Sequence, residues 1–110
     1  MLQRVEDLLD TFFTDEQLTA QGLPTVQLLA ERLHFTASYL SDMLRTLTGL
    51  NAQQHIYQKL IEKSKELLST TNLSISEVAY QLGFEHPQSF SRLFKTKTKL
   101  TPGQFRQTFN

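Results

Sequence analysis

Two runs of polar side chains recur at matching places in the chain: Ser38, Ser41, Asp42 and Arg45, and some fifty residues later Gln88, Ser91, Arg92 and Lys95. If each run is helical, steps of three and four residues gather its members on one outward face. Such a face offers hydroxyl, amide, carboxylate and guanidinium groups, with no nucleophile paired to a base. An arginine fork can bridge guanine O6 and N7, a glutamine amide can pair with adenine, a carboxylate can accept from cytosine N4, and serine suits several bases. The chemistry on offer is recognition by hydrogen bonding.

The surrounding charges suit a polyanion. Arg92, Lys95, Lys97 and Lys99 place four cations within eight residues, a density that can neutralise a phosphate backbone. Lys97 and Lys99 also read as a solvated helix end complementing the helix dipole. For Arg92, a phosphate contact or a surface ion pair with Glu85 or Glu77 stands beside base readout. Thr36 and Thr101 precede helical segments, where a hydroxyl can donate to a phosphate or simply cap. Asp42 occupies the slot of Arg92 in the earlier run. A carboxylate there weakens contact with phosphates unless it accepts from cytosine, so the earlier face is expected to contribute less.

Other chemistries find little support. His34, His55 and His86 fall on different segments, without metal-ligand spacing, phosphate-cradling glycine loop or nucleophile elbow. Glu62 and Glu66 sit among Lys59, Lys63 and Lys65 and read as i,i+4 ion pairs. With no cysteine, neither disulfides nor thiolate metal sites can form, which suits a reducing cytoplasm. No catalysis, cofactor or metal is expected. Apolar runs are short and no signal-like segment opens the chain, so no membrane association is expected either.

At 110 residues, 39% hydrophobic and 20% charged, the chain has the composition of one modest globular domain. Its zero net charge argues by itself against a nucleic-acid partner. The average conceals a split: residues 1–42 carry seven acidic and two basic side chains, residues 43–110 four acidic and nine basic. Contact with a polyanion through the basic part and chance placement of solvated charge both account for that asymmetry.

Hydrophobic periodicity is helical throughout, so the fold class is all-α, with six to seven helices expected. Residues 1–22 read as an acidic amphipathic helix, Leu2 to about Phe13, followed by a linking loop with room for a helical turn. That helix is expected to pack its apolar face on the next segment. Residues 23–49 hold two helices capped by Thr25 and Thr36 and stopped by Gly49. Residues 50–71 form a long linking helix capped by Asn51. Residues 72–110 begin with a capping box, Ser74 to Glu77, then a helix ended by Gly83, one opened by Pro87, and a last one after Thr101-Pro102.

Sliding the chain on itself exposes a duplication. At an offset of 49, Val26, Leu29, Ala30, Leu33 and Phe35 fall on Ile75, Val78, Ala79, Leu82 and Phe84. At an offset of 50, Leu40, Ser41, Met43, Leu44 and Arg45 fall on Phe90, Ser91, Leu93, Phe94 and Lys95. Each copy is a short helix with a central alanine, a tight turn with a phenylalanine, and a second helix polar on its outer face. This is the helix-turn-helix arrangement; a duplicated packing hairpin is the plainer reading. Two readers must stand about 34 Å apart to enter adjacent turns of a major groove, and a linking helix of about 20 residues spans about 30 Å. The expected reading helices are Ala37 to Leu47 and Pro87 to Lys97.

The second copy also resembles a known family. Ile75, Ala79, Leu82, Gly83-Phe84, Phe90-Ser91-Arg92, Phe94-Lys95, Thr101-Pro102 and Phe105-Arg106 resemble the DNA-binding region of AraC/XylS transcriptional regulators. Leu29-Ala30, Tyr39-Leu40-Ser41, Gly49 and Leu67-Leu68 fit more loosely, and the resemblance covers roughly residues 23–107. It implies a bilobal domain reading double-stranded DNA with one helix per lobe in successive major-groove segments. Base contacts would fall to Ser38, Ser41, Asp42, Gln88, Ser91 and Arg92, and phosphate contacts to Thr36, Arg45, Lys95, Lys97, Lys99 and Thr101. Lys99 departs from the family's usual glycine, so it must take positive φ or the helix must end differently. The family also implies activation through RNA polymerase and an effector or dimerisation domain before Met1, for which 110 residues leave no room. The rival reading is a helical adaptor that binds proteins, favoured by the neutral charge and by Asp42.

Overall fold

Among the described residues, six of the eight helices start where a side chain satisfies an otherwise unpaired amide: Thr14, Thr25, Thr36, Asn51, Ser74 and Thr101 each accept a hydrogen bond from the backbone three residues on. The computed structural model describes residues 1–109. Its helices are α1 (Leu2–Phe12), α2 (Asp15–Gln21), α3 (Val26–Arg32), α4 (Ala37–Thr48), α5 (Ala52–Thr70), α6 (Ile75–Gln81), α7 (Pro87–Thr98) and α8 (Pro102–Gln107). No strand occurs among the described residues. The all-α expectation holds, with eight helices in place of six or seven. The additional one is α2, where a loop with a helical turn was expected. Thr14 caps it, Asp15 and Glu16 face the positive end of its dipole, and buried Leu18 anchors it.

Two lobes form around α5. In the first, Leu29, Ala30 and Leu33 meet Leu40 and Leu44; in the second, Val78, Ala79 and Leu82 meet Phe90 and Phe94, all of them buried. The alanines admit close approach of the second helix of each pair. Ala52, Ile56, Leu60, Ser64, Leu67 and Leu68 of α5 are buried along the helix and pass the core from one lobe to the other. Nineteen residues give α5 a length of about 28 Å.

The duplication survives in three dimensions. From Ala37 to Gly49 and from Pro87 to Lys99, the two chains of positions are buried, half-buried and exposed in the same order. The Phe35 amide donates to Ala30 at 2.9 Å and the Phe84 amide to Ala79 at 3.0 Å, closing both turns alike. At the helix ends, the amides of Gly49 and Lys99 each donate back four residues at 2.8 Å, with φ of 82° and 70°. Lys99 thus does take positive φ. The turns show the reverse substitution: His34, φ 62°, stands where the second copy has Gly83, φ 94°.

The amino-terminal helices do more than cover the first lobe. α1 packs on α3, while α2 packs on α6 of the second lobe. Val5, Leu9, Phe12, Phe13 and Leu18 are buried in the process. At the α2–α6 contact, a Cβ on Gly83 would lie 2.9 Å from the Gly22 Cα and 3.1 Å from the Leu18 carbonyl oxygen. The Glu62 and Glu66 ion pairs expected within α5 do not form. Lys59 instead pairs with Asp10, and Lys63 with Asp15 at 3.3 Å, because α1 and α2 bring their carboxylates across α5. Hydrogen bonding to Asp10 raises the Lys59 pKa above its ordinary 10.5.

Gly83→Ala, strained by positive φ and by the Gly22 contact, should cost about 2–4 kcal/mol of stability. Lys99→Gly, freed of left-handed strain, should gain up to about 1 kcal/mol. Urea midpoints check both, and a Lys99→Gly midpoint at or below the parent's contradicts the strain argument.

Candidate nucleic-acid interface

His86 occupies the N-cap of α7 without a side-chain hydrogen bond, and Pro87 starts the helix with its φ already set. The first two turns then present Gln88 and Arg92 in solvent and Ser91 half-buried. Ile75, Ser76, Tyr80 and Pro87 join Gln88 and Ser91 around a groove between α6 and α7. Neither carboxylate expected as an alternative partner engages Arg92. Glu77 is committed to the capping box: it accepts from the Ser74 amide at 2.9 Å, and these hydrogen bonds, the backbone one first, hold its pKa below the ordinary 4.5. Among the described residues the Arg92 fork is unpaired.

The cations after Arg92 divide. Lys95 is exposed, and Lys99 is exposed at the left-handed helix end. Lys97 is exposed as well, but its ammonium lies 5.0 Å from the centre of the Tyr57 ring on α5. A cation held over an aromatic face gives up part of its availability to a phosphate.

On α4, Ser38 and Asp42 are exposed and Ser41 is half-buried, matching Gln88, Arg92 and Ser91. Arg45 donates to Asp42 at 3.3 Å, with both side chains more than half exposed. The pair makes two charges that sequence reading treated separately into one nearly neutral unit. Thr36 and Thr101 accept from the amides of Tyr39 and Gln104, both at 3.1 Å, which uses an oxygen lone pair and leaves each hydroxyl hydrogen to donate.

Three residues escaped the sequence reading. Tyr80 is 53% exposed and lines the groove that holds Gln88 and Ser91. His34 was legible as the partner of Gly83 in the duplication. Arg106 was noted only as part of a motif. Its Nε donates to the Leu68 carbonyl at 3.0 Å and its Nη1 to the Leu73 carbonyl at 2.5 Å. It thereby ties α8 to the end of α5 and to the segment before α6.

Two helix-turn-helix units on a shared helix, each exposing polar side chains on its second helix, define a tandem-motif DNA-binding domain. A family model described as a helix-turn-helix domain matches residues 29–108. The C-terminal domain of the two-component response regulator yesN from Fusobacterium nucleatum is 35% identical, with a TM-score of 0.81 over 94% of this chain and 95% of that one. The DNA-binding domain of AdpA, a global transcriptional factor solved with a target DNA, shares the fold: TM-score 0.77 and 24% identity, over 96% and 91% of the two chains. The Msm operon regulatory protein of Streptococcus mutans is 33% identical over 72% of this chain and 28% of its own length. The transcriptional activator RhaR of Salmonella dublin is 30% identical over 96% of this chain and 37% of its own. The chain spans well under half the length of these curated relatives. It belongs to the AraC/XylS-type family of DNA-binding transcription regulators.

Asp42→Asn removes a carboxylate from the outer face of α4 and releases Arg45. Binding to random duplex at low salt should strengthen several-fold, as read by fluorescence anisotropy. Unchanged affinity would mean that Asp42 faces away from the duplex.

Proposed function

We propose that the two lobes insert α4 and α7 into successive major-groove segments on one face of the duplex, held at that spacing by α5. The observation that carries this reading is the shared order of exposure along the two helices, which turns equivalent outward positions to the solvent. Groove spacing of about 34 Å is within reach of a linker of about 28 Å with a reading helix beyond each end.

The readers have unequal roles. Arg92 bridges a guanine, Gln88 pairs with an adenine and Ser91 accommodates its neighbour, while Lys95, Lys99 and the Thr101 hydroxyl neutralise or bind the backbone. Lys97 contributes less than its charge suggests, given its place over Tyr57. In the first reader, Ser38 and Ser41 make permissive contacts, Asp42 accepts from a cytosine, and Thr36 and Arg45 meet the backbone. With Arg45 partly spent on Asp42, the second reader supplies most of the affinity. Regulation in the bacterial cytoplasm through RNA polymerase, under a preceding effector or dimerisation domain, is the corresponding role of the whole protein. The greater length of the curated relatives supports the further domain in that reading. No helix among the described residues is long and apolar enough to cross a membrane.

Selection from a random duplex pool tests the assignment. Arg92→Ala should relax the preference at one position in the selected site and weaken specific binding by about 1–3 kcal/mol. Lys95→Ala should weaken all sequences alike and reduce the slope of log affinity against log salt by about one. An Arg92→Ala site identical to the parent's would refute base reading by Arg92.

A further inference from the structure

We infer that Tyr80 is a phosphate clamp of the second reader, its hydroxyl donating to a backbone oxygen of the strand beside the bases that α7 reads. The inference rests on the DNA-binding reading above and adds a contact from outside the reading helix.

Tyr80 borders a recess beside Leu18 and Gly22 of the amino-terminal segment but takes no part in the apolar core. α6 buries Val78 and Ala79, while the Tyr80 side chain stays 53% exposed and outside the apolar core. Its hydroxyl makes no hydrogen bond to another described residue. Ser76 lies one helical turn earlier, and both line the groove that also holds Gln88 and Ser91. In a helix-turn-helix, the first helix crosses the backbone while the second enters the groove. The rim shared by α6 and α7 is therefore where a phosphate strand passes.

A phenol suits that place. Donation to an anionic oxygen is stronger than a neutral hydrogen bond, and tyrosine gives up little rotamer freedom to make it. The Glu77 carboxylate is turned back onto the Ser74 amide and does not line the groove that holds Tyr80, Gln88 and Ser91.

The first reader lacks the device. At the offset of 49, Ser76 and Tyr80 correspond to Gln27 and Glu31. Those two are hydrogen-bonded to one another at 3.3 Å, and a carboxylate there repels a phosphate. The clamp thus belongs to one reader and reinforces the inequality between them.

The test compares the parent with Tyr80→Phe and Tyr80→Ala on selected and random duplexes. Thermal melts should coincide, since Tyr80 is outside the core. Tyr80→Phe should bind about tenfold more weakly on both duplexes, with the selected sequence preference unchanged. Replacing phosphates singly with neutral methylphosphonates should reveal one position that weakens the parent but not Tyr80→Phe. Parent affinity in Tyr80→Phe, an altered base preference, or no such phosphate overturns the clamp alone. A parent protein that binds no duplex at any salt overturns the DNA-binding reading, and the clamp falls with it.

Discussion

The half-buried Arg106, whose guanidinium reaches two backbone carbonyls, is the contact on which the geometry of the second lobe depends. The Leu68 carbonyl it meets lies in the last turn of α5, where helical carbonyls lack partners, and a cation there also faces the negative end of the helix dipole. The Leu73 carbonyl lies just before the cap of α6. One planar group thus fixes the exit of the linking helix, the entry of the second pair and α8 together, and α8 in turn packs on α7. At the other side of the molecule, α2 sits on the Gly83 turn at a distance that no side chain would permit. These two contacts tie the second lobe to α5 on one hand and to α2 on the other.

Most of the architecture was legible in the sequence because it rests on periodicity, caps and duplication. Thr25, Thr36, Asn51 and the Ser74–Glu77 box mark the helix starts that the structure shows. What escaped depends on tertiary placement. α2 contributes Leu18 alone to the core and so carries no apolar stripe. Arg106 binds backbone carbonyls, which no residue type announces. Lys59 and Lys63 had plausible partners one turn away, yet the acidic helices that cross α5 supplied others. The outward positions of the candidate interface followed from the repeat; that Lys97 leans on Tyr57 and Arg45 on Asp42 did not, because cation–π and ion-pair choices are decided by rotamer and neighbour.

The two lobes share a fold and differ in chemistry. Around α7 the outer surface is cationic, with an aromatic hydroxyl at its rim; around α4 it is close to neutral, with carboxylates at Glu31 and Asp42. Each copy also keeps one glycine and one substituted residue at its two left-handed positions, His34 with Gly49 and Gly83 with Lys99. The strain is distributed between the copies, at the turn in the first and at the helix end in the second. Duplication supplied the scaffold, and the outer faces have diverged, one cationic and one close to neutral, on a common rod.

On the proposed mode of binding, α5 and the Arg106 and Gly83 contacts hold both readers at a single duplex pitch. That mode is tested most directly by measuring affinity for duplexes in which the two selected half-sites are moved apart one base pair at a time, up to about half a helical turn of ~10 base pairs. Readers held rigidly give a steep fall that levels off at the affinity of the second half-site alone. Affinity that stays flat across the series would show that the lobes move independently and would contradict that mode.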